Sequence, residues 1–127
     1  MNLVDSSGWI EYFIEAPNAA VFAPLIEETK NLIVPSIVMY EVFKKLLVET
    51  DDGTALQAAT QMQLGKVISL DESLALNAAR IGYDLRLSLA DSIILASARL
   101  YNATLYTQDE HFKNIPHVKY ICKKKSD

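Results

Sequence analysis

Four acids in this sequence fall where a carboxylate is expensive or well placed: Asp5, Glu41, Asp91 and Asp109. Asp5 ends the apolar run Asn2-Leu3-Val4 and precedes Ser6 and Ser7. Asp91 opens onto SIILASA (residues 92–98), and Glu41 sits inside VMYEVF (residues 38–43). A carboxylate beside such apolar runs is costly unless it is paired or binds a metal. Asp109 lies in Thr107-Gln-Asp-Glu110. Bare carboxylates brought together repel and raise one another's pKa values. A divalent cation removes that penalty. Oxygen ligands without a His or Cys cluster favour Mg²⁺ or Mn²⁺ over zinc. Such a centre suits phosphodiester hydrolysis, in which the metal polarises a phosphoryl oxygen, acidifies a bound water and aligns attacking and leaving groups.

Each acid also has a structural explanation. Asp5 can cap a following helix. Glu41 stands four residues before Lys45, the favourable order for a helical ion pair. Asp91 follows Ser88, and Glu110 follows Thr107, at capping-box spacing. Glu110 stands beside Asp109 and could be confused with it.

Positioning these residues calls for short buried strands alternating with helices. Strands are predicted at residues 2–4, 31–34, 66–70, 103–106 and 118–122, and helices at 6–15, 18–29, 36–49, 54–64, 71–84 and 88–101, with a short helical turn near Glu110. The helix at 88–101 is apolar on nearly every side and is expected to be central. Alternation of this kind implies an α/β fold with a parallel sheet covered on both faces. Ligands then bind beyond the carboxyl ends of the strands, which puts Asp5 and Asp109 on one rim.

The 127 residues suit one domain spanning 1–127, and no repeat or Gly/Pro-rich linker divides them. No run approaches the ~18 apolar residues of a membrane span, and the N-terminus does not read as a secretion signal. With Cys122 the only cysteine, an intrachain disulfide is excluded, and an intracellular, cytoplasmic protein is expected. The net charge of −4 argues against a protein that holds nucleic acid by broad phosphate neutralisation. Local positive charge remains at Lys44, Lys45, Arg86 and Lys123-Lys124-Lys125. His111 and His117 form no cluster and are expected in surface or packing roles. Serine-hydrolase and P-loop motifs are absent. A haloacid-dehalogenase-like phosphatase would need a second Asp where Ser7 stands.

Four stretches, in this order, resemble the PIN-domain ribonucleases, and most closely the VapC toxins of toxin–antitoxin pairs. They are LVDSSGWIEYF (3–13), SIVMYEV (36–42), LADSIILASA (89–98) and LYTQDEHF (105–112). The resemblance implies a three-layer fold with a short, mostly parallel sheet of about four or five strands. It implies an Mg²⁺- or Mn²⁺-dependent ribonuclease in which Asp5, Asp91 and Asp109 bind the metal. Glu41 would position the attacking water, and Ser6 and Thr107 would support the acids or touch phosphate. It further implies an RNA substrate, an antitoxin partner lying along an apolar groove, and a homodimer. Trp9, Phe13, Phe22, Met39, Tyr40 and Phe43 could form a groove or dimer face, but core packing is expected for most of them. Other readings are a housekeeping PIN nuclease for RNA processing or DNA flaps, and a non-catalytic interaction module.

Overall fold

A computed structural model describes residues 1–125. Strand β1 (Asn2–Val4) leads through Asp5 into α1 (Ser6–Phe13), and α2 (Ala19–Glu27) follows. A 3-10 turn at Thr29–Asn31 delivers the chain into β2 (Leu32–Pro35), which is buried along its whole length. Then come α3 (Ser36–Glu49), α4 (Asp52–Met62) and β3 (Lys66–Ile68). Next in sequence are α5 (Glu72–Leu85), α6 (Leu89–Leu100) and β4 (Thr104–Thr107). A second 3-10 turn at Glu110–Phe112 precedes β5 (Val118–Tyr120).

The five strands form one parallel sheet in the order β3-β2-β1-β4-β5. The expected α/β architecture is therefore present, with every strand pair parallel. Strand β1 is central: Leu3 pairs with Ile33 on one side and Leu105 on the other. Helix α1 packs on α2 and α3, α3 packs on α4, and α5 packs on α6. The order also reverses at β1. The chain leaves β1 towards β2 and later returns past it to β4, which opens a crevice at the carboxyl ends of β1 and β4.

Local chemistry explains the boundaries. Helix α1 stops at Phe13, two residues short of expectation, and Glu15 turns left-handed with φ 54°. Pro17 disfavours helical geometry at Ala16, so the helix has nowhere to continue. Asp51 caps α4 by accepting the Thr54 amide at 2.7 Å, so the helix starts before Gly53 rather than after it. Ser88 caps α6, which is buried at every residue from Asp91 to Ala98, as its all-round apolarity predicts. Trp9 and Phe22 lie fully inside the core, whereas Tyr40 is exposed. Among the described residues, no helix is long and apolar enough to cross a membrane.

Candidate active site

Asp5 sits at the crevice between β1 and β4. Its amide donates to the Tyr106 carbonyl at 3.2 Å, extending the sheet by one bond. Its side chain is almost fully buried and accepts three hydrogen bonds. Ser7 Oγ donates to one carboxylate oxygen at 2.7 Å, and the Gly8 amide reaches the same oxygen at 3.3 Å. Thr107 Oγ1 donates to the other at 2.7 Å. The helix-cap role foreseen for Asp5 is thus present, because Gly8 belongs to the first turn of α1. The two hydroxyls also tie Asp5 to the end of β4. Thr107 Oγ1 accepts the Asp109 amide at 2.9 Å, and Ser7 Oγ accepts the Gln108 amide at 3.3 Å. Burial outweighs these donors and pushes the Asp5 carboxyl from 3.8 up to about 6, with a smaller push from the charge of Asp109.

Asp91 and Asp109 face one another across the same crevice. Asp91, in the first turn of α6, has its carboxyl raised above the usual range by burial and then by the charge of Asp109. Hydrogen bonding from Ser88 and the nearby His111 oppose that rise. His111 Nδ1 lies 3.3 Å from Asp91 Oδ2 and 3.2 Å from Asp109 Oδ1. Donor atoms of Asp91, Asp109 and His111 all fall within 4.8 Å of one another. Asp109 itself caps the turn at Glu110–Phe112 by accepting the His111 amide at 2.9 Å. The cap predicted for Thr107 and Glu110 is replaced by this one.

Glu41 reaches the site from α3. It accepts from Ser6 Oγ at 2.5 Å, so Ser6 serves Glu41 while its neighbour Ser7 serves Asp5. The ion pair open to Glu41 and Lys45 is not formed; Lys45 pairs with Glu49 at 3.0 Å. Ser6, Glu41, Lys44 and Lys45 line one hollow of about 380 Å³, together with Ile10, Tyr40 and Val48. Two of the lysines noted in the sequence therefore border Glu41.

Three residues missed by the sequence reading also shape the site. Ser7 and His111 are described above. The third, Glu11, is buried on α1 and accepts the Asn18 amide and Gln108 Nε2, each at 3.0 Å. Asn18 Nδ2 in turn donates to Gln108 Oε1 and the Cys122 carbonyl, each at 3.0 Å. This buried network clamps the β4 end, and so Thr107 and Asp109, against α1. A charged residue between Ile10 and Tyr12 was its only signal in the sequence. The crevice fits a divalent cation on the chemistry of its donors: acids from separate elements meet there, and Asp5 and Asp91 are both disfavoured as anions by burial and, less, by the charge of Asp109.

Solved structures share this fold. A chain of a toxin–antitoxin complex from Klebsiella pneumoniae superposes with a TM-score of 0.77 at 22% identity, covering 95% of this chain and 100% of that one. VapC20 from Mycobacterium tuberculosis, described as a sarcin-ricin loop cleaving toxin, gives 0.74 at 16% identity, covering 91% and 95%. A chain of VapBC2 from Rickettsia felis, solved with a promoter DNA fragment, gives 0.72 at 16%, covering 94% and 96%. No curated protein sequence matches the chain. The family model of the PIN domain matches residues 3–118, a span that runs from β1 to β5 and includes Asp5, Glu41, Asp91 and Asp109. The chain belongs to the PIN domain family.

Proposed function

We propose that the chain is a metal-dependent endoribonuclease and the toxin of a toxin–antitoxin pair. The observation that carries this reading is the convergence of Asp5, Asp91 and Asp109 at the β1–β4 crevice, with the carboxyls of Asp5 and Asp91 held above their usual range. Membership of the PIN family and a fold shared with VapC-type toxins support a nuclease of that kind.

In this reading Asp5, Asp91 and Asp109 hold Mg²⁺ or Mn²⁺. When bound, the ion supplies Lewis-acid polarisation of a phosphoryl oxygen and a more acidic water. The protein's own residues do the rest. Ser7 and Thr107 fix the Asp5 carboxylate, and the Glu11–Asn18–Gln108 network fixes the β4 end beside it. Ser6 orients Glu41, which positions the attacking water. Lys44 and Lys45 receive a phosphate of the RNA next to Glu41. An antitoxin that silences the enzyme and a homodimeric assembly complete the proposal; relatives of this fold occur in toxin–antitoxin complexes.

The test is RNA cleavage by the purified chain with Mg²⁺, with Mn²⁺ and with chelator, alongside Asp5→Asn. Metal-dependent cutting that falls by about a hundredfold or more in the variant is expected, more than the loss of an outer hydrogen-bond partner costs. Equal cutting by both proteins would sink the role of Asp5. Absence of both cutting and metal binding would sink the nuclease.

A further inference from the structure

Among the described residues, His111 is the one nitrogen donor that meets Asp91 and Asp109. Its side chain is 74% exposed, so packing does not force it to lie where it does. The backbone does the aiming. Asp109 accepts the His111 amide and closes the turn, while the next residue, Phe112, is fully buried and pins the turn to the core. From that anchored turn, Nδ1 points between the two carboxylates, at 3.3 and 3.2 Å from their oxygens. Asp91 is equally fixed, because α6 is buried throughout its middle.

We infer that His111 is a metal ligand alongside Asp91 and Asp109, and that the mixed nitrogen–oxygen set favours a first-row transition ion over Mg²⁺. This rests on the metal-dependent reading given above. Mg²⁺ is bound through oxygen and retains its waters, so an imidazole adds little to its affinity. First-row ions accept imidazole nitrogen along with carboxylate oxygen. The surroundings suit that ion in charge as well. A dication between the two carboxylates offsets the charge of both, and the imidazole adds a third donor atom without adding negative charge.

The test uses Mn²⁺ alone as probe with the full chain, in wild type, His111→Ala and Asp91→Asn. Bound and free Mn²⁺ are separated by their EPR signals, Mg²⁺ affinity is measured by competition, and pulsed EPR detects nitrogen bonded to the ion. The exposure of His111 means that its replacement leaves the fold intact, checked by circular dichroism. The wild type should show a directly coordinated nitrogen, lost in His111→Ala together with about tenfold or more in Mn²⁺ affinity. Mg²⁺ affinity should change much less. No nitrogen coupling in the wild type, or unchanged Mn²⁺ affinity in His111→Ala, would overturn the inference. Tighter Mn²⁺ binding in that variant would also overturn it, showing that His111 competes with the ion. Asp91→Asn separates the two failures. If it leaves Mn²⁺ binding intact, the acidic metal site itself is wrong; if it abolishes binding while His111→Ala does not, only the ligand role of His111 falls.

Discussion

Asp5 is a carboxylate held against its own preference for water. Its folded pKa of about 6 lies above the ordinary 3.8, so between those pH values the native state binds a proton that the unfolded chain has released. Stability of the metal-free protein therefore falls as pH rises through this window, by on the order of 3 kcal/mol in total. Urea unfolding in chelator should show Asp5→Asn gaining on the wild type between pH 4 and pH 7.5; a gap that stays constant would contradict the buried, ionising Asp5. Cleavage at limiting metal should rise through about pH 6, and added metal should move that midpoint downward, because ion and proton compete for the same oxygens. Thr107→Val keeps the shape but removes the donor to Asp5 and the acceptor of the Asp109 amide. It should cost roughly 1–3 kcal/mol and about 10–100-fold in cleavage, with Thr107→Ser recovering most of the activity. The settings of the four acids, two near strand ends and two on apolar helices, were legible in the sequence, and their shared role is the proposal made above. Ser7, Glu11 and His111 were not legible, because their partners depend on how the turn after β4 comes back against α1, and no local spacing encodes that.

Helices α5 and α6 meet where a side chain is missing. A Cβ on Gly82 would lie 2.4 Å from Ser92 Oγ and 3.2 Å from its Cβ, so the two helices are as close as a glycine permits. Ser92 cannot simply swing away, since its hydroxyl donates to the Ser88 carbonyl at 2.6 Å. Gly82→Ala should destabilise the protein by roughly 1–3 kcal/mol. It should also lower cleavage, because α6 carries Asp91. Adding Ser92→Ala removes the nearest atom and should restore part of both, read by thermal melting and by rate. If Gly82→Ala behaves as wild type, the close approach is not real. Elements of this kind were largely readable. The apolar periodicity predicted all five strands and six helices, and it marked α6 as central. Their ends were less so, as Glu15, Gly53 and the shortened β3 and β5 demonstrate. Those ends were settled by capping and by Pro17, and at the two sheet edges by strands with one neighbour only.

The whole molecule carries a net charge of −4, yet its proposed substrate is a polyanion. Binding then depends on a few cations near the crevice, of which Lys44 and Lys45 border Glu41. Replacing both with Ala should weaken binding of single-stranded RNA similarly for all sequences. It should also flatten the slope of log affinity against log salt by about 0.7 for each lysine that meets a phosphate. An unchanged slope would place the phosphate contacts elsewhere, with the lysines of the tail as the next candidates. The parallel topology has a consequence in time as well as in space. The hydroxyl of Thr107 and the carboxylate it steadies are 102 residues apart. At about 5–20 residues per second of synthesis, Asp5 waits roughly 5–20 seconds for that partner to be made. During translation no shorter nascent chain can hold the complete set of acids. The proposed nuclease is therefore without its complete set of acids until the chain has passed the fourth strand and reached Asp109.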